Sequence, residues 1–221
     1  MNLVLLFFVQ SVIASLLLGL KFVSKRGMVF KNFGIALLLD AAAFLIWSYA
    51  VVTKPAHVEQ YVSFGTIFFI ISLVFMLAAG TQELSKKIQR TVMVLGVVIG
   101  ATIFYLGGTP AHPSTPGFSP EGFFFFNVHP LLQALYVFAF VLVAFPAIEA
   151  VASKFKGGMT EWLVRYGFAA EVAGGVVLIT SLSSTVGNTP ALHFTGWAMG
   201  LVYLVLFLVL VFYKKAWSNA D

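Results

Sequence analysis

Seven runs of mostly apolar residues recur along this chain, near 2–23, 31–52, 61–80, 91–108, 129–152, 162–184 and 194–213. Each has the length that matters: about 20 residues at 1.5 Å per residue cross the roughly 30 Å hydrocarbon layer of a bilayer. Composition agrees, with 60% hydrophobic and 10% charged residues and a mean hydropathy of +0.99. The pattern predicts an all-α membrane protein of seven transmembrane helices, with residues 1–221 forming a single polytopic domain. The first run lacks a positive leading segment and a small-x-small cleavage pattern before Lys21, so it reads as a retained helix rather than a secretory signal.

Positive residues orient the bundle, because Lys and Arg collect in short loops that stay cytoplasmic. Lys25, Arg26 and Lys31 flank the first loop, Lys86, Lys87 and Arg90 the third, and Lys154 and Lys156 the fifth; Lys214 and Lys215 begin the tail. The opposite side has Lys54 alone. The N-terminus is therefore expected outside and the C-terminus in the cytoplasm. This bias also accounts for the formal charge of +5. Its clusters are separated against the membrane and form no basic stripe, which argues against nucleic-acid binding. The chain has no cysteine, which removes disulfides, thiolate metal sites and thiol redox chemistry. With no targeting extension ahead of the first run, the expected location is integral to a prokaryotic plasma membrane.

One loop is long. Residues 107–128 include Pro110, Pro113, Pro116 and Pro120, which exclude a regular helix and predict an extended, turn-rich outer segment. Phe123 to Phe126 follow, and four consecutive phenylalanines are expected to cap the bundle, to begin the fifth helix raggedly, or to form a lid or docking surface.

A repeat is also legible. Asp40 lies twelve positions after Met28 and Glu171 twelve after Met159, and "PAH" (Pro55 to His57) and "PALH" (Pro190 to His193) precede the following helices. Phe33-Gly34 and Tyr166-Gly167 correspond once a two-residue gap is allowed. The reading is a 3+1+3 plan: units 1–80 and 129–215 related as parallel repeats and joined by helix 91–108, a known transporter arrangement.

Asp40 and Glu171 are the strongest functional candidates. Each is expected about nine residues into its span, roughly 14 Å from the cytoplasmic edge. A carboxylate that deep faces protein or a water-filled cavity, or is protonated. Small residues share their faces: Ala36 and Ala43 beside Asp40, and Gly167, Gly174 and Gly175 beside Glu171. The matched pair points to a shared centre for substrate or proton binding, whereas each carboxyl alone reads equally as polar glue between helices. Thr180, Ser181, Ser183 and Ser184, or Gln10, Ser11 and Ser15, would extend a polar route outward.

The remaining polar groups support blander roles. Glu149 and Arg165 fall at the cytoplasmic ends of adjacent spans and are expected to form an interfacial structural pair, with Glu161 one turn before Arg165. His57, His112, His129 and His193 all fall on the outer side, where imidazoles, with Glu59 and Glu121, offer a weak metal site. None has the i,i+3 or i,i+4 spacing of a helix-borne site, and no histidine lies inside a span for haem ligation. Seven helices invite comparison with microbial rhodopsins, but the last span has lysines only at its end, Lys214 and Lys215, so a retinal Schiff base has no anchor and the resemblance stops at helix count. No cofactor is specified. Catalysis is disfavoured; a serine with His129 or His193 in an outer-face hydrolase is the residual option.

Three functions follow. The first is a small transporter or permease with a midplane polar centre at Asp40 and Glu171. The second is a non-catalytic subunit of a larger membrane complex, or a homo-oligomer, argued from the GxxxG pairs Gly96/Gly100 and Gly196/Gly200. The third is a sensor or receptor without its own output domain, since six residues follow Lys215.

Overall fold

The structure, a computed structural model, describes residues 3–82, 84–108, 115–118, 124–127, 130–155, 158–181, 190–213 and 217. Seven helices run through them in the order α1 (Leu3–Val23), α2 (Met28–Thr53), α3 (Val58–Gly80), α4 (Lys86–Gly108), α5 (Pro130–Ala152), α6 (Met159–Ser181) and α7 (Pro190–Phe212). At 21 to 26 residues, they are about 32–39 Å long. Over the described residues α1, α2, α3, α5 and α7 are long and apolar enough to cross a membrane, in keeping with a helical membrane protein. Several helices begin earlier than the apolar runs, at Met28, Lys86 and Met159. Hydropathy marks where lipid begins, and Lys86, Lys87, Arg90 and Glu161 are good helix formers outside it. Gly27 and Gly158 precede α2 and α6 with φ of 108° and 84°, a backbone that a side chain would strain.

The helices close into a ring. Neighbours in sequence pack together within α1–α2–α3 and α5–α6–α7, α3 meets α5, and α7 returns to α1; α4 lies outside the ring against α3 and α5. Glycines set the closest approaches. A Cβ at Gly34 would fall 2.7 Å from the Val23 nitrogen and 2.9 Å from the Gly19 carbonyl oxygen, so α1 and α2 meet backbone to backbone. At Gly80 a Cβ would meet the Ala147 nitrogen at 2.9 Å, beside Pro146 inside α5. Gly34 seats α1 but Gly167 seats Phe207 of α7, so this glycine pair of the suggested repeat makes non-equivalent contacts.

Both GxxxG pairs are occupied within the chain. Gly96 and Gly100 face Leu77 and Ile70 of α3; Gly200 faces Phe7 and Gln10 of α1, and the Gly196 carbonyl lies against Gly174 of α6. They therefore lend no support to an external partner.

The long loop departs from a wholly helical reading. Thr115–Phe118 (β1) pairs antiparallel with Phe124–Asn127 (β2), setting Phe118 opposite Phe124 and Thr115 opposite Asn127, and β1 approaches α3. Phe124, Phe125 and Phe126 thus belong to a strand, and the helix starts at Pro130, where a missing N–H costs nothing. Pro116 is accommodated because this two-stranded ribbon has only edge strands.

Two aromatic layers fill the ring. Near the α1 N-terminus Phe7, Phe8, Phe44 and Trp47 pack together. At the other end Phe22, Phe30, Phe33 and Phe155 do so, joined by Trp217. Trp217 is buried; its Nε1 donates to the Leu210 carbonyl at 2.9 Å, and Lys25 Nζ donates to its own carbonyl at 2.5 Å.

Candidate functional site

Between the aromatic layers lies a belt of polar side chains. Asp40 is the thirteenth of 26 residues in α2, Glu171 the thirteenth of 23 in α6 and Tyr203 the fourteenth of 23 in α7. Ser15 is the thirteenth of 21 in α1 and Ser72 the fifteenth of 23 in α3. Five helices thus each supply a polar group near the midpoint. Burial is nearly complete, with Ser11, Ser15, Ser72 and Tyr203 at 0%, Asp40 at 3% and Glu171 at 6% exposure. The apolar stripes of α1 and α2 turn these groups inward: Phe7, Ala14, Leu18 and Phe22 share the face of Ser11 and Ser15, and Ala36, Leu37 and Ala43 that of Asp40.

A directed chain runs through half of the belt. Ser15 Oγ and the Tyr203 hydroxyl are 2.9 Å apart, and the Tyr203 hydroxyl also lies beside the Glu171 carboxyl. A tyrosine hydroxyl has one proton to give. When it donates to an ionised Glu171, Ser15 donates to Tyr203 in turn.

The other half is unsatisfied. The Asp40 carboxyl lies near enough to Glu171 to interact with it electrostatically, and the Ser72 hydroxyl lies beside Asp40. Yet among the described residues Asp40 Oδ1, Ser72 Oγ, Ser11 Oγ and Gln10 Oε1 have no hydrogen-bond partner. Proximity without bonding geometry is the better description of Asp40 and Ser72, because a hydrogen bond fails steeply with angle. Other helical hydroxyls behave differently: Ser48, Thr66 and Thr81 donate to the carbonyls of Phe44, Val62 and Leu77 at 2.7–2.8 Å.

Aromatic rings close the belt off. Phe33 and Phe168 meet at 4.7 Å and Phe168 and Phe207 at 4.3 Å on one side; Phe7 and Phe44 at 6.0 Å and Phe69 and Phe140 at 5.7 Å lie on the other. In such low-dielectric surroundings each unmatched polar atom is costly.

The structure therefore brings Asp40 and Glu171 together across the ring. It also joins Arg165 to Glu149, by Nε–Oε1 and Nη2–Oε2 contacts of 3.0 and 2.9 Å, and to Glu161 at 2.5 Å; Glu149 is exposed, Arg165 and Glu161 are partly buried, and the three stand apart from the belt. The histidines do not gather within what is described. His57 is exposed ahead of α3, His112 and His129 lie outside the described residues, as does the side chain of His193. Among the described residues no three of His, Asp and Glu converge as a metal site. Thr180 and Ser181 side chains, Ser183 and Ser184 also lie outside the description, whereas Ser11 and Ser15 join the belt. Tyr203 and Ser72 escaped the sequence reading; the available signal was position, since a tyrosine and a lone serine at the midpoints of apolar runs are not interfacial residues. Comparison with protein-family models, with curated proteins and with solved structures finds no match to this chain.

Proposed function

We propose that the chain is a small transporter whose buried carboxyl pair, Asp40 and Glu171, binds and releases a proton coupled to movement of cargo. One observation carries this reading: two carboxyls from different helices lie at mid-helix within electrostatic reach of each other, one beside the Tyr203 hydroxyl that Ser15 engages and the other beside the orphaned Ser72 hydroxyl. Two like charges side by side in hydrocarbon would be prohibitively costly, so the pair keeps a proton between them and can exchange it. Polar glue alone would leave no orphaned acceptors, since each is a standing cost.

The proposal includes seven spans, with α4 and α6 crossing as well, an outside N-terminus and residence in a prokaryotic plasma membrane. It also includes a parallel 3+1+3 repeat, which the ring order supports: a two-fold axis along the membrane normal would carry α1 to α5, α2 to α6 and α3 to α7, and the α3–α5 contact onto the α7–α1 contact. Rocking of one unit against the other about the central pair would provide alternating access.

Reconstitution tests the proposal. Gradient-driven flux in proteoliposomes, screened over candidate cargoes, should be present in wild type and abolished by Asp40→Asn with Glu171→Gln, changes that keep shape and hydrogen bonding. Undiminished flux in that double variant refutes proton coupling here. A second reading, a transmembrane subunit, draws on α4, which exposes Val94, Leu95, Val97 and Val98 and borders an apolar crevice lined by Ile70, Leu77, Phe138 and Leu142. Co-purification of a stoichiometric partner on that face would favour it.

A further inference from the structure

The helix outside the ring leaves a gap beside it. On α4, Gly96 and Gly100 sit where a Cβ would run into Leu77 and Ile70 of α3, so α4 is drawn closely onto α3; it meets α5 far less. Between the three helices runs a crevice whose lining, including Ile70, Leu77, Gly96, Gly100, Phe138 and Leu142, is apolar throughout. Phe138 and Leu142 are 58% and 52% exposed, so the crevice opens away from the bundle.

Its depth is set by α3 and α5. Ile70 and Leu77 belong to the apolar stretch Gln60–Gly80, and Phe138 and Leu142 to Val137–Phe155, each long enough to cross a membrane. The crevice therefore lies at hydrocarbon depth. Water does not settle in an apolar gap, and an empty gap forfeits the dispersion contacts of its lining. The material that surrounds the opening is lipid chain.

Charge selects the kind of lipid. Lys86, Lys87 and Arg90 are exposed at the start of α4, beyond the end of the apolar stretch of α3, in the headgroup region. Among the described residues none of the three has an acidic partner. Glu83 is the one acid nearby in sequence, and residues 83–90 still carry a net charge of +2. The first turn of α4 has no acidic residue, although the positive end of a helix dipole disfavours cations. An anion would relieve both repulsions. The distances agree: Arg90 to Gly100 is ten residues, about 15 Å of helix, which is half of the roughly 30 Å hydrocarbon layer. A headgroup held at the start of α4 thus leaves a chain of the same leaflet long enough to follow α4 to Gly100.

The geometry points to an anionic diacyl phospholipid as the occupant, its phosphate among Lys86, Lys87 and Arg90 and one acyl chain in the crevice between α3, α4 and α5. The flexible stems of the cations let their charged ends reach the phosphate while the methylenes stay on apolar surface. The site rests on α4 lying in the bilayer beside α3 and not on proton coupling, so it stands or falls separately from the carboxyl pair.

Native mass spectrometry of the full chain, titrated with dioleoyl phosphatidylglycerol or dioleoyl phosphatidylcholine, tests the site, because these lipids share their chains and differ in headgroup charge. One phosphatidylglycerol should bind per chain, about a hundredfold more tightly than phosphatidylcholine, at about fivefold for each juxtamembrane cation. Lys86→Gln should weaken it about fivefold, and Lys86→Gln, Lys87→Gln and Arg90→Gln together should bring the two lipids to equal affinity. Lys31→Gln, which removes an exposed cation from another helix, should leave the preference unchanged. Leu142→Trp fills the exposed mouth of the crevice and should weaken both lipids about tenfold, the worth of nearly two buried methylenes. Phosphatidylglycerol carrying a photoactivatable acyl chain should crosslink to the α3, α4 and α5 segments that line the crevice. Equal affinity of wild type for the two lipids, or an undiminished preference in the triple variant, overturns the headgroup site. Unchanged binding in Leu142→Trp, crosslinks spread evenly over the lipid-facing helices, or a partner protein recovered in the crevice overturns the chain site.

Discussion

Tyr203→Phe isolates one oxygen at the centre of the bundle. The ring stays packed on Phe168 and Phe207 at 6.0 and 4.4 Å, so apolar contacts are kept and only hydrogen bonds are lost. Those are the bond with Ser15, at 2.9 Å, and the hydroxyl's polar approach to the Glu171 carboxyl. Interhelical hydrogen bonds in membranes are modest, averaging about 0.6 kcal/mol with a maximum of about 1.7. An orphaned buried partner adds about 1–3 kcal/mol. Ser15 can escape that cost by turning to the carbonyl four residues earlier, as Ser48 does; Glu171 has no such recourse. The expected destabilisation is therefore about 2 kcal/mol, roughly a 30-fold shift in the unfolding equilibrium. Reversible unfolding in mixed micelles over a series of SDS mole fractions measures it. Ser15→Ala alone should cost about 0.6 kcal/mol, and nothing more once Tyr203→Phe is in place, a coupling that a double-mutant cycle reads directly. If Tyr203→Phe stays within about 0.3 kcal/mol of wild type, or Ser15→Ala costs the same in both backgrounds, the hydrogen-bond chain is not present as described.

Three further outcomes follow from packing and topology. Gly80→Ala should destabilise by about 1–3 kcal/mol, because the new Cβ meets the backbone of Pro146 and Ala147, which cannot step aside; Gly100→Ala, facing only the Ile70 side chain, should cost clearly less in the same unfolding assay. Trp217→Ala removes a buried ring and its contacts with Phe22 and Phe155 at 5.3 and 5.8 Å, with an expected loss of about 3–5 kcal/mol, measurable as a lowered Tm. Tags in the loop at Lys86 and at the C-terminus should be protected from outside reagents and a tag at Ser114 labelled by them; the reverse pattern would invert the orientation.

The parts of this molecule that follow from water-avoidance were legible in its sequence. Each of the seven helices overlaps an apolar run, and the inward small-residue faces of Asp40 and Glu171 already placed two carboxyls away from lipid. Helix starts were misjudged where polar helix formers such as Lys86 and Glu161 precede the lipid-facing stretch. The hairpin was hidden by Pro116 and Pro120, which signal turns far more strongly than the pairing of Phe118 with Phe124 signals a strand. Most of the centre's partners were beyond sequence reasoning, because nothing local states which helix faces which. The mid-run position of Tyr203 set it apart from interfacial tyrosines, but its partners emerge only when α7 closes the ring against α1, and Ser72 is one hydroxyl in an apolar run until α3 sets it beside Asp40. In the GxxxG pairs close packing was legible, but the contacts they make within the chain, with α3, α1 and α6, were not.

Infrared difference spectroscopy after a pH jump tests the central claim, that the Asp40–Glu171 pair holds and exchanges a proton. With the full chain in lipid, acidification should produce a carbonyl-stretch band of a protonated, buried carboxyl, shifted on exchange into heavy water. The band should be lost in the Asp40→Asn, Glu171→Gln double variant and altered in frequency, but still present, in Tyr203→Phe, because the hydroxyl beside Glu171 is then gone. A band identical in wild type and the double variant would contradict the account, since the exchanging proton would then reside on another group.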